Sequence, residues 1–262
     1  MKVAVGLTTY NRPRFAEKSI RALEASLRPL DCVLSACNDG SAPKYQAEYK
    51  RAYRRAPEMA VIECPENRGV AAAKNTLLRS MLDTTDADWL FLIEDDIIVK
   101  SPMAVVAYVE AAKAYGLHHL SFAHHGPANA DGPVAVEGAI EFYPHSIGAW
   151  TMFSRECLEE VGLFDENFHN AWEHVEHEMR LIAAGFMPGA GAHRFPDVKD
   201  SALWLSELPN AITESAIRPR ADWKTSISSG LRYWRDEKPD TYRMLFGRGM
   251  PLESYALNIL ND

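Results

Sequence analysis

Three adjacent carboxylates, Glu94, Asp95 and Asp96, directly follow the apolar run WLFLI at residues 89–93. A buried ionised carboxylate is strongly disfavoured unless it is paired, so this triplet must meet either solvent or a positive charge. Mg²⁺ and Mn²⁺ prefer oxygen ligands, and such a cation would offset the repulsion between the acids. The triplet is therefore a candidate metal site, with a solvated acidic turn as the alternative.

The elements that must position this triplet alternate between strand and helix over residues 1–100. The short β-rich runs KVAVGLT, CVLSAC, AVIEC and DWLFLI are separated by helical patterns, the first with apolar residues at Ala16, Ile20, Leu23 and Leu27. This rhythm predicts a parallel, doubly wound sheet, whose ligands bind at the carboxyl ends of the strands. The polar clusters TTYNR, NDGS, ENRG and EDD follow the four strands and should converge on one rim.

Downstream, the pattern predicts further elements. Alternation between Val134 and Phe142 predicts a β-hairpin, a short helix should end near Gly162, and a longer one should close at Gly185. Beyond residue 193 the periodicity is weak. Neither GxGxxG nor a P-loop follows the first strand, which argues against the usual NAD and ATP sites.

Composition excludes other classes. The formal net charge of -8, without a basic run, argues against a nucleic-acid partner. The four cysteines show neither a CxxC pair nor zinc spacing, which indicates reduced thiols. Neither a signal peptide nor an apolar run of membrane-spanning length is recognisable, so a soluble, cytoplasmic protein is expected.

The segments VGLTTYNRP, NDGS, ENRGVAAAKN and IEDD resemble, in order and spacing, the GT-A glycosyltransferases, especially the large family 2 and its relatives. GAWTMFSRECLEEVGLFDENF, WEHVEHEMRLIAAGF and PGAGAH extend the resemblance, which covers about Val3 to His193. It implies an α/β GT-A fold, with a mostly parallel sheet flanked by helices. Residues 1–100 would form the nucleotide-sugar-binding half and 101–195 the acceptor-binding half. Residues 196–262 would form a C-terminal extension, which could act as a lid or as an oligomer contact.

The resemblance implies transfer of a hexose or N-acetylhexosamine from a nucleotide-diphosphate donor, most often a UDP-sugar. The acceptor would be a hydroxyl on a glycan, glycolipid or protein. Mn²⁺ or Mg²⁺, held by Asp96 and His193, would stabilise charge developing on the departing diphosphate. The donor-binding residues that it implies are Thr8, Thr9, Tyr10, Arg12, Asp39, Asn67, Arg68, Lys74, Asn75, Glu94 and Asp95.

The catalytic base is where the sequence departs from the family. Inverting relatives carry Glu-Asp where this chain has Glu173-His174, which leaves inverting and retaining outcomes open. Glu173 ranks slightly ahead of His174 as the base, and Glu176 is a third candidate one turn further on. Alternatively, Glu176 pairs structurally with Arg180.

Aromatic and imidazole side chains supply further candidates. Trp172 is expected to contact the acceptor, whereas Trp150 stays undecided between core and acceptor site. The flanking histidines of one strand are expected to be sugar partners or surface groups: His118, His119, His124 and His125. His169 and His177 are expected on a helix surface. The tail residues that could form a lid, or a packed appendage, are Trp204, Arg218, Arg220, Trp223 and Lys224.

Two other functions compete with glycosyl transfer. A sugar-phosphate nucleotidyltransferase would need a glycine-rich basic loop after the first strand, and TTYNRP contains no glycine. A degenerate GT-A domain could act as a glycan-binding or assembly module, which the Glu173-His174 substitution favours. The intact triplet and His193 favour retained metal chemistry instead.

Overall fold

The computed structural model describes residues 1–124, 127–188, 194–217 and 221–246. The strands are β1 Val3–Thr9, β2 Cys32–Asn38, β3 Ala60–Glu63, β4 Trp89–Glu94, β5 Ile97–Val99, β6 His119–Ser121, β7 Ala135–Glu137, β8 Ile140–Tyr143, β9 Trp150–Ser154, β10 Phe195–Val198 and β11 Leu205–Glu207. The helices are α1 Pro13–Leu27, α2 Gln46–Tyr53, α3 Val70–Thr84, α4 Met103–Tyr115, α5 Arg155–Val161, α6 Glu173–Ala183, α7 Ala221–Glu237 and α8 Pro239–Phe246. None of the helices in these ranges has the length and apolar character needed to cross a bilayer.

The central sheet has the strand order β3-β2-β1-β4-β9-β6. The first four strands are parallel, which confirms the doubly wound prediction. Strand β9 runs antiparallel to both of its neighbours, so its amino end lies at the rim where the parallel strands have their carboxyl ends. The Glu94 N–H accordingly donates to the Ala149 carbonyl at 2.8 Å. The residues before β9 thus join the rim.

Alternating side chains of the central strands build a core on each face of the sheet. Val3, Val5 and Leu7 face a cluster with α1, α2 and α4, while Ala4 and Leu90 face a second cluster with α3, α5 and α6. Strand residues point alternately to opposite faces, so both sides of a central strand must be apolar. The predicted apolar face of α1 is buried as expected.

The downstream predictions are also confirmed. Strands β7 and β8 form the expected hairpin, to which β10 adds a third antiparallel strand. Helices α5 and α6 end just before Gly162 and Gly185, which have φ values of +83° and +84°. Glycine adopts this left-handed conformation without steric cost, which is why it commonly terminates helices.

The sequence pattern does not locate helix α7 of the C-terminal extension, although a helical appendage packed on the core is one of the alternatives for this segment. Helix α7 places Trp223, Ile227 and Trp234 on one face, and they pack with Phe168 and Trp172. The four-residue spacing of Trp223 and Ile227 was an available signal. The TSISSG run at residues 225–230, which contains Ile227, has low helix propensity and obscured this helical pattern.

Helix α7 approaches this core closely at Gly230. A Cβ atom at this position would lie 2.7 Å from Trp172 Cδ1 and 3.3 Å from Phe168 Cδ1. We expect Gly230→Ala to lower the free energy of unfolding by about 1–3 kcal/mol through overpacking. This loss exceeds the ~0.5–1 kcal/mol that alanine normally gains over glycine in a helix. Urea unfolding measures the change.

The exposed neighbour Ser229 provides a matched control, because Ser229→Ala adds no contact with Trp172. We expect that variant to unfold at a urea concentration equal to or above that of the wild type. A Gly230→Ala protein as stable as Ser229→Ala would contradict the close packing.

Candidate active site

Two buried cations meet the acidic triplet at the end of β4. Arg12 Nη1 lies 3.3 Å from Asp95 Oδ1 and 3.1 Å from Asp96 Oδ2. Lys74 Nζ lies 3.0 Å from Glu94 Oε1. Both aspartates are buried, with exposures of 4% and 9%, so they do not form a solvated acidic turn.

Asp95, the middle residue of the triplet, is held in place by polar contacts. Its carboxylate accepts a hydrogen bond from Thr9 Oγ1 at 2.6 Å, and Thr9 also contacts the Tyr49 hydroxyl. Burial raises the pKa of Asp95 to about 7, although the Arg12 charge acts in the opposite direction. The ends of β1 and β4 are therefore held together by polar contacts that also position Arg12.

Two adjoining cavities open at this rim. The larger, of about 260 Å³, is lined by acids, by the start of α6 and by the C-terminal extension: Arg12, Glu94, Asp96, Ser146, Trp172, Glu173, His174, Ile212, Trp223 and Ile227 among others. The smaller, of about 70 Å³, is lined by residues from the predicted donor motifs: Thr8, Thr9, Tyr10, Arg12, Asp39, Asn67, Glu94 and Asp95 among others. The residues that line both cavities, and so mark the boundary between them, include two charged side chains, Arg12 and Glu94, besides Val70, Asn170, Ser215 and Ile217.

Asp39 organises the loop beside the smaller cavity. Its carboxylate accepts hydrogen bonds from Asn67 Nδ2 at 2.7 Å, from the Arg68 N–H at 3.1 Å and from the Gly69 N–H at 2.9 Å. Gly69 has a φ of +91°, and a Cβ atom there would lie 2.3 Å from the carbonyl oxygen of His169. Only glycine allows this approach. Burial raises the pKa of Asp39, while the backbone donors lower it.

Three residues predicted to bind the donor have structural contacts instead. The Arg68 guanidinium donates to Thr76 Oγ1. Asn75 is buried and bonds with both the N–H and the carbonyl of Phe164. Lys74 is only 1% exposed. Within the described residues none of the three lines either cavity, because their polar groups turn towards neighbouring elements.

Lys74 joins three segments of the rim. Its ammonium group lies 3.0 Å from Glu94 Oε1, 3.1 Å from Glu173 Oε1 and 3.0 Å from the Gly148 carbonyl oxygen. An ammonium group has three donors, and each has an acceptor here. Burial lowers the pKa of Lys74, but the two carboxylates outweigh it and raise the pKa above its ordinary value.

Glu173 and His174 begin helix α6 at the wall of the larger cavity. Glu173 Oε1 lies 3.3 Å from His174 Nδ1. Burial raises the pKa of Glu173, but Lys74 and His174 outweigh it and hold that pKa well below its ordinary value. For His174, burial lowers the pKa and Glu173 more than reverses this, so the result is a raised pKa. His174 therefore holds a proton more tightly than an ordinary imidazole, and Glu173 less tightly than an ordinary carboxylate.

Gly148 allows the start of α6 to approach the turn before β9. A Cβ atom at Gly148 would lie 3.0 Å from Lys74 Nζ and 3.1 Å from the His174 ring. Both distances are shorter than ordinary van der Waals contact, so any side chain there would displace one of the two groups.

Glu176, the third candidate base, does not line either cavity in the described part of the chain. It accepts from Arg180 Nε at 2.9 Å and pairs with Lys238 of the C-terminal extension. This is the structural pairing that the sequence left as an alternative. Glu176 thereby ties α6 to the extension.

The two tryptophans differ in position. Trp172 lines the larger cavity, although it is only 4% exposed, and its Nε1–H donates to the Ile227 carbonyl at 3.2 Å. Its φ of +70° is uncommon for a non-glycine residue. Trp150 is fully buried between Phe91 and Tyr108, so it belongs to the core.

The prediction that His177 lies on a helix surface is wrong. The ring is fully buried against Phe153 and Phe164, and its Nε2–H donates to the Gly162 carbonyl at 2.8 Å. Burial lowers the pKa of His177 to about 3. Apolar periodicity places position 177 inside, and the hydrogen bond to Gly162 allows an imidazole there. His169 is exposed as expected, but it lies in a bend before α6 and not on a helix.

A buried polar network lies behind the larger cavity, and no sequence pattern predicts it. His119 Nε2 lies 2.9 Å from Glu178 Oε1, and Ser146 Oγ donates to the same oxygen at 2.7 Å. His119 Nδ1 faces the Met152 carbonyl, which can only accept, so Nδ1 carries a proton. His119 is therefore neither a surface group nor a sugar partner.

The other histidines of that strand have different surroundings. His118 bonds with Ser154 Oγ at 2.9 Å and His124 with the Tyr143 hydroxyl at 3.1 Å. His125 lies outside the described residues. Neither His118 nor His124 lines the two cavities in the described part of the chain.

The tail residues proposed for a lid also differ in their surroundings. Trp223 lines the larger cavity, Lys224 is exposed, and Trp204 packs against the main core. Arg218 and Arg220 lie outside the described residues.

The prediction of a metal site at Asp96 and His193 stays a prediction. His193 lies outside the described residues, and within the described ranges no three His, Cys, Asp or Glu side chains form a metal-binding group. Asp96 and Glu94 nevertheless line the larger cavity, and their carboxylates supply oxygen ligands. Mg²⁺ usually takes one or two carboxylates and completes its shell with water and substrate phosphates. The donor set therefore fits a divalent cation that is shared with a phosphorylated substrate.

The buried Lys74 bridge gives a stability prediction. Lys74→Met leaves Glu94 and Glu173 without their shared cation, so we expect a loss of about 3–5 kcal/mol in the free energy of unfolding. Adding Glu173→Gln should recover part of this loss, because one buried charge is removed. Urea unfolding of both variants measures the effect.

The exposed Lys113 of α4 provides the control, since Lys113→Met should change stability by less than about 0.5 kcal/mol. A Lys74→Met loss below about 1 kcal/mol would mean that the bridge contributes little.

Comparison with known proteins supports the fold. No protein-family model matches the chain, and no curated protein matches it in sequence. The mannosyltransferase PcManGT from Pyrobaculum calidifontis, in complex with GDP-Man and Mn²⁺, matches with a TM-score of 0.65 and 15% identity, over 99% of this chain and 72% of that one. S. aureus TarS 1-349, in complex with UDP-GlcNAc, matches with a TM-score of 0.55 and 12% identity, over 99% and 70%. The chain has the GT-A fold, as the sequence resemblance implied.

Proposed function

We propose that the chain is a metal-dependent glycosyltransferase that moves a sugar from a nucleotide-diphosphate donor to a hydroxyl acceptor. The observation that carries this proposal is the pair of cavities that meet at Arg12 and Glu94. The smaller cavity is lined by the donor-motif residues, and the larger cavity is lined by carboxylates and by the His174 imidazole. A diphosphate lying across their boundary would bring the anomeric carbon of the donor into the larger cavity.

The smaller cavity would hold the nucleoside. Thr8, Thr9 and Tyr10 form one wall, and Asp39 with Asn67 forms the other. The Asp39 carboxylate, held by three N–H donors, still has acceptor capacity for an N–H of a base. We expect a UDP-sugar with a hexose or N-acetylhexosamine. Among the matching structures, TarS was solved with UDP-GlcNAc and PcManGT with GDP-Man, so both nucleotides belong in the test.

Asp96, together with His193, would hold Mn²⁺ or Mg²⁺, and Glu94 would contact the ribose or a metal-bound water. The bound cation would supply positive charge to the departing nucleoside diphosphate. The Asp96 carboxylate already pairs with a positive charge in this structure, because the Arg12 guanidinium lies against it. The Mn²⁺ in the PcManGT complex supports this choice of metal.

We assign the base to His174 rather than Glu173, which reverses their order in the sequence-based ranking. Glu173 is neutralised by Lys74, and its lowered pKa makes it a weak base. His174 lines the larger cavity, and Glu173 would stabilise its imidazolium form. The acceptor oxygen bonds to the anomeric carbon as the bond to the diphosphate oxygen breaks, and the acceptor proton passes to His174. This single displacement inverts the anomeric configuration.

The acceptor would enter beside Trp172, whose ring lines the larger cavity. Ile212, Trp223 and Ile227 from the C-terminal extension complete that wall. An aromatic face packs well on the apolar face of a sugar ring. A hydroxyl on a glycan, glycolipid or glycosylated protein fits this mixture of apolar walls and acidic floor.

The base assignment predicts a pH dependence. His174 accepts a proton only when neutral, and the Glu173 charge raises its pKa against the opposing effects of burial and Lys74, with Glu178 adding to the rise. The rate should therefore increase with pH, with a midpoint above the ordinary histidine value of about 6.5. Glu173→Gln removes the anion and should move this midpoint to lower pH. Initial rates of donor hydrolysis over about pH 5 to 9 measure both midpoints.

His174→Ala should lower kcat by about 10²–10⁴-fold and abolish this midpoint. His118→Ala changes a histidine that lines neither cavity in the described residues, and it serves as the control. If His174→Ala kept the wild-type pH profile, the base would be another group.

The function itself is tested by a panel of UDP-, GDP-, dTDP- and CDP-sugars. Thermal stability and donor hydrolysis would be measured with Mn²⁺ and with EDTA, in the wild type and in Asp96→Ala. We expect one donor to raise the Tm and to be hydrolysed slowly, with both effects dependent on metal and on Asp96. Asp83→Ala, at an exposed position on α3, should behave like the wild type.

If no nucleotide sugar changed the Tm in the presence of metal, the transferase proposal would fail. A degenerate domain that binds glycans would then be the better description.

A further inference from the structure

The Arg12 side chain occupies the boundary between the two cavities. Its backbone is fixed, because its carbonyl accepts the N–H groups of Phe15 and Ala16 at 3.0 Å and its own N–H donates to the Tyr49 hydroxyl at 3.0 Å. The guanidinium lies 4.2 Å from the Phe15 ring centroid, and the side chain is 13% exposed. A fixed backbone with a long side chain lets the charged group move while the start of α1 stays in place.

The contacts of this guanidinium are those that a metal ion would need. Nη1 and Nη2 lie 3.1 and 3.2 Å from the same oxygen of Asp96, and Nη1 lies 3.3 Å from Asp95. A divalent cation on Asp96 would stand beside this guanidinium, and two cations in a partly buried site repel each other strongly. Arg12 and the metal ion therefore compete for Asp96.

The other cation of the rim is not exchangeable in this way. Lys74 is enclosed by Glu94, Glu173 and the Gly148 carbonyl, and its side chain is 1% exposed. Arg12 instead lines both cavities, so its guanidinium can turn towards a group that lies across their boundary. A diphosphate is such a group, and the planar guanidinium fork matches phosphate oxygens well.

We infer that Arg12 is an exchangeable counter-ion of the acidic triplet. It neutralises Asp95 and Asp96 in the empty site, and it transfers to the donor phosphates when a divalent cation takes over Asp96. This inference rests on the proposed function, because it names the diphosphate as the group that receives Arg12.

Coupled binding follows from this exchange. A metal ion alone must displace Arg12 without offering it another anion, so metal binding alone is weak. A nucleoside diphosphate supplies that anion, so the metal and the nucleotide each strengthen the binding of the other by the same factor. An empty site thus stays paired and does not collect free metal.

The test titrates Mn²⁺ into the wild type and into Arg12→Gln, and follows the electron paramagnetic resonance signal of free Mn²⁺, which disappears on binding. Each titration is performed without nucleotide, with UDP and with GDP, and the Mn²⁺ that the nucleotide binds without protein is subtracted. In the wild type we expect one nucleotide to tighten Mn²⁺ binding by about 10-fold or more, within the range usual for coupled sites. In Arg12→Gln we expect Mn²⁺ alone to bind about 10-fold tighter than in the wild type, with the nucleotide effect reduced to about 3-fold or less.

Arg14→Gln is the matched control, because Arg14 is exposed and lies two residues further along the chain, in the first turn of α1. It should reproduce the wild-type titrations. Arg12→Lys keeps the charge but loses the planar fork, so Mn²⁺ alone should bind as weakly as in the wild type while the nucleotide effect falls. If Arg12→Gln does not fold, Arg12→Lys decides, and an unchanged nucleotide effect there overturns the inference.

The remaining outcomes separate this inference from the proposed function. If a nucleotide binds the wild type with Mn²⁺ but Arg12→Gln binds Mn²⁺ alone no tighter than the wild type, only the exchange is wrong. If neither nucleotide binds any of the proteins with Mn²⁺ present, the glycosyltransferase proposal and the exchange both fail.

Discussion

The buried ammonium group of Lys74 is the contact on which the geometry of this rim depends. It joins the end of β4 through Glu94, the turn before β9 through Gly148, and the start of α6 through Glu173. A buried charge is tolerated only when acceptors surround it, so these three segments must stay together for Lys74 to stay inside. The spacing between Glu94 and the start of α6, where His174 lies, depends on this cation.

Lys74 and Arg12 thus both pair with the acidic triplet, but their surroundings differ. Lys74 is enclosed and holds the elements in place, while Arg12 lies at a boundary between cavities and can exchange partners. The difference follows from the side chains as well as from position. An ammonium group can be satisfied by three acceptors at one point, whereas a guanidinium fork suits planar anions that can come and go. The backbone of the rim can therefore stay fixed while the Arg12 guanidinium changes its partner.

The direction of β9 brings the two halves of the site together. Parallel strands bring only their carboxyl ends to the rim, and those ends supply Thr9, Asp39 and the acidic triplet. Antiparallel β9 adds the opposite end of a strand, so Gly148 and Ser146 line the larger cavity next to Glu94. The larger cavity accordingly includes residues before β9 that the smaller cavity lacks.

Local sequence patterns are sufficient to predict most of the strands and helices and the rim. Apolar periods of two and of about 3.6 residues, with glycines as helix ends, were enough to predict β1 to β4, the β7–β8 hairpin and the closing of α6 at Gly185. The positions of the triplet and of the donor motifs followed from these strands. Tertiary structure alone decided the partners: Lys74 with Glu173 and Arg12 with Asp96, 99 and 84 residues apart in the chain, and the burial of His119 and His177. Local patterns reflect contacts within a few residues, whereas the partner of a charged side chain depends on how distant elements pack.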